Sequence, residues 1–279
     1  MKKVLSFIIL ISIIFSCVSV LADYRDYVKV PVIMYHSIGY SADPYTITPE
    51  TFEKHLAAIK KNGFTPVSFQ QLVDYVDKDY NLPDKPMVIT FDDGYTDNYT
   101  HAFPILKKHN FKATIFIIGS SAGKNTYKDT NYPITPHFNY NMAREMNLSG
   151  LISLQSHTHD MHQSSLYENS ENVRENVLQF EGESFIDYIR ALKGDLSMSK
   201  STIEGQIGTP VIALAYPSGR HNAFAESVAR SLGFRVTVST TIGTNYIRKY
   251  NKETLYRLNR FNMNEDVTVQ TLLKWLNRR

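Results

Sequence analysis

Short, continuously apolar segments recur along this chain, and stretches with a helical pattern separate them. Segments without alternating polar positions are typical of strands that are covered on both faces. Strands that alternate with helices across short connections predict a parallel α/β sheet, either closed into a barrel or open and doubly wound. In both architectures, functional side chains collect at the carboxyl ends of the strands. The predicted strands are 32–35, 87–91, 113–118, 151–155, 211–216 and 235–239.

Two of the intervening helices have recognisable ends. One begins with Thr48 as N-cap and Pro49 in its first turn, and it stops at Gly63. Another is predicted over residues 222–232. A third helical stretch, 170–205, is predicted as an insertion between core strands, and its Glu and Lys content indicates a solvated face.

The first residues of the chain have the layout of a secretory signal. Lys2 and Lys3 precede an apolar run that continues to about Phe15, and small residues follow. Cleavage after Ala22 leaves residues 23–279 as a single domain, because no linker and no second long apolar run divides them. The sequence therefore predicts a protein that is secreted or attached to the cell surface.

Cys17 is the only cysteine. Lipid attachment at this residue and a permanent membrane anchor are the alternatives to cleavage. A cleaved chain has no cysteine, which excludes disulfides and a zinc site built from cysteines. Removal of the two N-terminal lysines leaves 28 basic residues against 27 acidic ones, and this near-neutral charge does not indicate nucleic-acid binding.

Two adjacent carboxylates follow the apolar strand 87–91. Asp92 and Asp93 precede Gly94, so both carboxylates are expected at the carboxyl end of a strand. A single Asp in this position often caps a turn. Two in succession favour a bound cation, because one carboxylate can ligate it while the other handles protons.

Three histidines follow the apolar strand 151–155. A cluster of His157, His159 and His162, in a chain that already offers an Asp pair, favours a metal site. His157 and His159 would share a face if the strand continued. His157 and His162 would converge only if the chain turned sharply after the strand.

These motifs resemble those of a known family. The stretch 90–95, Thr-Phe-Asp-Asp-Gly-Tyr, resembles the first motif of the polysaccharide deacetylases, which are carbohydrate esterase family four or NodB-homology domains. Residues 156–162 look like the second motif. The common form spaces its two ligand histidines four apart, but Met161 stands there and His162 lies five after His157. This spacing resembles the branch that deacetylates poly-N-acetylglucosamine in biofilm matrices.

The resemblance implies a distorted (β/α) barrel with a single catalytic domain. It also implies that Asp93, His157 and His162 hold a divalent metal while Asp92 acts as the base. Zinc suits nitrogen-rich ligation best, and iron, cobalt or nickel also suit two histidines and one carboxylate. The expected reaction releases acetate from an extracellular polysaccharide that contains N-acetylglucosamine, and the expected protein is a monomer.

The third family motif has a counterpart at residues 215–219. Most members have an arginine at the position of Ala215, where it pairs with the base, and its absence predicts a base without that partner. The backbone N–H of Ser218 is expected to stabilise an oxyanion, since that role does not need the side chain. Tyr95 and Tyr216 are predicted to line the substrate groove.

The final family motif usually supplies a histidine acid, and its counterpart here is 258–262. That stretch contains no histidine, and no histidine follows His221. The acid is therefore assigned to His36, with His221, a water or the metal as alternatives. His36 could also be a buried histidine with a structural role. A long loop over residues 123–138 is expected to shape the groove.

Two rival functions fit part of this pattern. A glycan-binding module could retain the fold without turnover, since the usual acid and arginine are missing. A metal-dependent phosphoesterase also uses Asp and His ligands, but such sites commonly hold two metals and need more carboxylates. Acetate release measured together with metal content separates these functions.

Overall fold

A computed structural model describes residues 27–168 and 172–278 of the chain. The predicted signal segment 1–22, its cleavage site and Cys17 lie outside these residues. Within the described ranges, every helix is too short or too polar to span a bilayer.

The structure alternates strands and helices in the predicted order. The strands are β1 (Tyr27–Val30), β2 (Val32–Tyr35), β3 (Ser37–Ile38), β4 (Thr46–Ile47), β5 (Thr65–Pro66), β6 (Pro86–Phe91), β7 (Ala113–Ile117), β8 (Ile152–Ser156), β9 (Ala213–Ala215), β10 (Val236–Val238), β11 (Asn245–Arg248) and β12 (Phe261–Asn262). The helices are α1 (Pro49–Lys61), α2 (Phe69–Asp77), α3 (Phe103–His109), α4 (Tyr140–Leu148), α5 (Phe185–Ile207), α6 (Ala223–Ser231) and α7 (Val269–Asn277). All six predicted strands are confirmed, with ends that differ by a few residues at most.

The two helices with recognisable ends are also confirmed. Thr48 caps α1 by accepting a hydrogen bond from the Thr51 backbone, and Asn222 caps α6 in the same way. The prediction for 170–205 was wrong in part, because the helix begins only at Phe185. The described residues from 172 to Ser184 are irregular, and Ser184 is the N-cap.

The main sheet is parallel and curled. Its strands follow the order β10-β9-β8-β7-β6-β2-β12, and β5 adds to β6. The chain just before β12 reaches back to β10, where Leu258 donates to Thr237 at 2.8 Å and accepts from Ser239 at 2.9 Å. These contacts bring the two ends of the sheet together. The structure is therefore the distorted (β/α) barrel that the motifs predicted.

Successive residues of β6 belong to opposite faces of this sheet. Ile89 and Phe91 join the cluster that packs beneath the outer helices, whereas Val88 joins a smaller cluster with Phe116 and residues of α2. Because side chains alternate along a strand, the residue after Phe91 points to the same side as Val88. Asp92 is thereby directed into the barrel.

Candidate metal centre and active site

The candidate site lies at the carboxyl ends of the barrel strands. Asp92 and Asp93 follow β6, and His157 follows β8. His36 follows β2, and Ser218 lies just beyond β9. All five residues line one cavity of about 540 Å³.

The backbone separates the two adjacent carboxylates. Asp93 has φ 72° and Gly94 has φ 84°, so the chain reverses immediately after Asp92. A left-handed conformation at a residue other than glycine costs of order 1–3 kcal/mol and persists only where its surroundings enforce it. The reversal sends the Asp92 side chain into the barrel and that of Asp93 toward the histidines.

Arg260 pairs with Asp92 through its two terminal guanidinium nitrogens, Nη1 and Nη2. The two N–H···O distances are 2.7 and 2.8 Å, and Arg260 Nε donates to the Ser239 carbonyl at 2.8 Å. Arg260 is fully buried. Burial alone would raise the pKa of the Asp92 carboxyl, but the Arg260 guanidinium holds that pKa well below its usual range. Asp92 is therefore ionised at neutral pH.

This pair corrects the prediction that the Asp92 carboxylate has no arginine partner. Position 215 is a buried alanine, and Arg260, in the chain just before β12, supplies the guanidinium instead. The sequence carried a signal for it, because the stretch 258–262 contains Arg260 in an otherwise apolar and amide-rich context. A buried carboxylate needs a partner, and the need for one is the signal that points to this arginine.

His157 is fixed by the strand beside it. Its Nδ1 lies 2.8 Å from the Ala215 carbonyl oxygen, which can only accept, so Nδ1 carries the proton. Nε2 then offers a lone pair, and it lies 3.4 Å from Asp93 Oδ1 and 4.0 Å from Asp92 Oδ2. Burial lowers the pKa of His157, which keeps the ring neutral.

His162 reaches the same point by a sharp turn of the chain. Thr158 has φ 69°, and the segment that follows brings His162 Nε2 to 3.8 Å from Asp93 Oδ1. Potential ligand atoms of Asp93, His157 and His162 all lie within 4.8 Å of one another. The sequence left two histidine pairs open, and the structure brings together His157 and His162.

His159 takes no part in this trio. Its ring packs against Gly119, where a Cβ atom would come within 2.5 Å of His159 Nδ1. Its backbone N–H donates to Asp195 on α5. His159 and His162 therefore have different surroundings, and of the two only His162 turns toward Asp93.

His36 and Tyr95 both line the larger cavity. His36 packs against Tyr45 with ring centroids 5.0 Å apart, and its buried Nδ1 has no hydrogen-bond partner among the described residues. Tyr95 is half-buried at the edge of the cavity. Its ring lies 5.0 Å from that of His137, a buried histidine that the sequence motifs did not single out.

Tyr216 was wrongly predicted to line the groove. It is completely buried, and its hydroxyl donates to the Glu226 carboxylate at 3.0 Å. Its other face stacks on His221, with ring centroids 5.2 Å apart. His221 lines a different cavity, beside Arg230. Both residues belong to the packing of α6 against the sheet, which also removes His221 as an alternative acid.

A second cavity adjoins the first. It has a volume of about 400 Å³ and shares Asp93, Tyr95 and His162 with the larger one. Its outer wall is formed partly by the irregular segment 123–138, as the sequence predicted, and partly by Tyr167. The two cavities form a groove that passes across the Asp93 carboxylate.

A curled parallel barrel with these side chains at its carboxyl end has the fold of the NodB-type deacetylases. The chain belongs to the polysaccharide deacetylase family, whose model matches residues 79–237. It is 30% identical over 215 residues to the Bacillus subtilis protein YxkH, which is named for the same family; the match covers 77% of this chain and 66% of YxkH.

Two further proteins are similar to the chain. A poly-β-1,6-N-acetyl-D-glucosamine N-deacetylase of Staphylococcus aureus is 25% identical over 191 residues, which are 68% of this chain and 60% of the relative. A solved de-N-acetylase of Aggregatibacter actinomycetemcomitans superposes with a TM-score of 0.72 at 25% identity, covering 89% of this chain and all of that one. The chain spans two thirds or less of the length of the two sequence relatives.

The Arg260 pair generates a test of stability. Arg260→Met leaves a buried carboxylate without its partner, which we expect to cost about 3–5 kcal/mol in the free energy of unfolding. Arg190→Met is the control, because its pair with Asp187 is exposed and worth about 0–1 kcal/mol. Chemical denaturation measures both, and addition of Asp92→Asn to the Arg260 variant should recover part of the loss. Equal stabilities for the two single variants would contradict the assigned role.

Proposed function

We propose that the protein is a metal-dependent hydrolase that removes N-acetyl groups from an extracellular polysaccharide containing N-acetylglucosamine. The observation that carries the proposal is the division of the Asp pair within one cavity. Asp93 faces two histidines with the ligand set of a catalytic metal, while Asp92 is held apart and ionised by Arg260. Family membership and the deacetylase names of the relatives support the same reaction.

The three side chains fit a divalent cation. Asp93 Oδ1 is buried and has no hydrogen-bond partner among the described residues, and His157 Nε2 directs a lone pair toward it. Two imidazoles and one carboxylate suit zinc first, and iron, cobalt or nickel as well. When bound, such an ion supplies a Lewis acid and lowers the pKa of a coordinated water.

Asp92 has the properties of a general base. Its Oδ2 lies 4.0 Å from His157 Nε2, so it borders the place where a water would attack. The guanidinium of Arg260 keeps it ionised and fixes its orientation, because the bidentate pair leaves no freedom to rotate. In this role the carboxylate accepts the proton that the attacking water loses.

Ser218 and His36 complete the proposed machinery. Ser218 has φ 54° and lines the cavity at the turn after β9, where its backbone N–H would donate to the developing oxyanion. His36 lines the cavity too, and would give a proton to the departing amine. The products are acetate and a glucosamine unit that keeps its place in the polymer.

The groove favours a polymeric substrate over a small acetamide. The two adjoining cavities, of about 540 and 400 Å³, each fall within the size of pockets for small ligands. They meet at Asp93 and His162, so sugars on both sides of the reacting one would have room. Tyr95 lies at the junction and could stack against a sugar ring. We propose poly-N-acetylglucosamine as the polymer, and residues 23–279 as a secreted or surface-attached monomeric catalytic domain.

Metal binding provides the first test of this function. Asp93→Ala and His162→Ala should each abolish stoichiometric Zn²⁺ binding by calorimetry, because each removes one of three ligands. His159→Ala is the matched control and should bind Zn²⁺ like the wild type. If the His162 variant retains its metal and the His159 variant loses it, the ligand assignment is wrong.

The base is tested by separating metal binding from turnover. Asp92→Asn should keep bound Zn²⁺ while acetate release falls by about 10²–10⁴-fold, the usual contribution of a general base. Acetate should be measured side by side on poly-N-acetylglucosamine, chitin oligomers and peptidoglycan. Full activity in this variant would contradict the assignment of Asp92 as the general base. Wild-type protein that binds metal and glycan without releasing acetate would instead be a glycan-binding module.

His36 is tested by a similar comparison. His36→Gln should lower kcat by about 10²-fold or more, because the departing amine loses its proton donor, while Zn²⁺ binding stays unchanged. His101→Gln is the control, since the His101 ring contacts the Ile38 carbonyl and does not line the cavity. An unchanged kcat in the His36 variant would show that His36 is not the acid and has a structural role.

A further inference from the structure

The helix α5 presents polar residues to the histidine loop, which we define as residues 157–162. Asp195 and Ser199 lie one helical turn apart on the face that packs against β8. Ser199 is fully buried and Asp195 is half-buried. Polar side chains on a packed helix face need partners, and both find them in or next to the histidine loop.

The Asp195 carboxylate accepts two consecutive backbone amides. Oδ1 lies 2.8 Å from the His159 nitrogen, and Oδ2 lies 2.6 Å from the Asp160 nitrogen. Both amides belong to the segment that joins His157 to His162. Hydrogen bonds from N–H groups to a carboxylate are stronger than those between neutral groups, so this contact is the strongest that α5 makes with the loop.

Neutral groups hold the same segment from other directions. Ser199 Oγ lies 2.7 Å from Ser156 Oγ, which in turn accepts from the Thr158 backbone at 3.1 Å. On the opposite side, Gly119 donates to the Thr158 carbonyl at 3.1 Å and Ser120 donates to the His159 carbonyl at 2.8 Å. The loop is therefore bonded from both sides, and Asp195 is the charged member of this set.

The sharp turn at Thr158 explains why an acceptor is required there. Because Thr158 has φ 69°, the chain leaves the sheet, and the amides of residues 159 and 160 lose the carbonyl partners that a continuing strand would offer. A backbone N–H that leaves a sheet needs another acceptor, because an unsatisfied donor destabilises the fold. Asp195 supplies the acceptor for both amides in the turn that carries His162 toward Asp93.

We infer that Asp195, supported by Ser199, is a positioning residue for the metal site: its carboxylate holds the histidine loop in the turn that brings His162 to Asp93. The inference rests on the proposed function, because it assigns the loop to metal binding. The sequence predicted this helical stretch as an insertion with a solvated face, whereas the inference gives α5 a role in supporting the metal site. Burial raises the pKa of Asp195, so the fold keeps a carboxylate here against an electrostatic cost.

The test is the affinity of the full chain for Zn²⁺ in competition with a chromogenic chelator. Asp195→Asn keeps one carbonyl acceptor but turns an amide donor toward the second backbone N–H, so one of the two bonds is lost. We expect the Zn²⁺ dissociation constant to rise about 10- to 100-fold, as is usual when support for a metal ligand is removed. The absorption spectrum of the Co²⁺ form should also change, because the His162 ring loses its fixed orientation.

Asp187→Asn is the matched control for the same helix. Asp187 is exposed in the first turn of α5, about two helical turns before Asp195, and it bonds with Ser184 and Arg190. This variant should bind Zn²⁺ as the wild type does. Asp195→Glu, which restores a carboxylate, should recover a measurable part of the affinity that Asp195→Asn loses.

The outcomes separate a positioning role from a purely structural one. An Asp195→Asn variant whose Zn²⁺ affinity stays within twofold of the wild type overturns the inference, even if its metal-free form melts at a lower temperature. Should that variant fail to fold, Ser199→Ala replaces it with the same expectation and the same overturning result. Wild-type protein that binds Zn²⁺ but releases no acetate contradicts the proposed reaction and leaves this inference standing, since its readout is metal affinity.

Discussion

The bidentate pair between Arg260 and Asp92 is the interaction on which the arrangement of the barrel and the site depends. It joins the chain before β12 to the end of β6, across the interior of the sheet. Asp92 and Arg260 are both buried, and a buried carboxylate or guanidinium is strongly destabilising without a charged partner. The pair therefore links the closing edge of the barrel to the charge state of Asp92.

The same constraint explains how two adjacent carboxylates acquire different properties. With Asp92 fixed in the interior, the left-handed backbone at Asp93 directs the second carboxylate toward His157 and His162. Both oxygens of Asp92 accept from the Arg260 guanidinium. Asp93 keeps one oxygen, Oδ1, without a hydrogen-bond partner among the described residues. Environment rather than residue type separates a candidate base from a candidate ligand.

Support for the histidines comes from the strand and helix layers around the barrel. His157 is oriented by the Ala215 carbonyl of β9, and the loop that carries His162 is bonded to Asp195 of α5. Ala215 thus contributes to the site through its backbone carbonyl. Site residues that converge from separate elements keep their geometry because each rests on a packed strand or helix.

The sequence by itself determined the alternation of strands and helices, the position of the Asp pair at a strand end, and the family, because these depend on local pattern and short motifs. It did not determine which histidine joins His157, since that depends on the backbone turn at Thr158. Only the tertiary structure decided that Arg260 supplies the partner of Asp92 and that Tyr216 is buried against Glu226. Those contacts join residues 168 and 10 positions apart, and neither chain pattern nor motif spacing records which buried groups meet across a closed sheet.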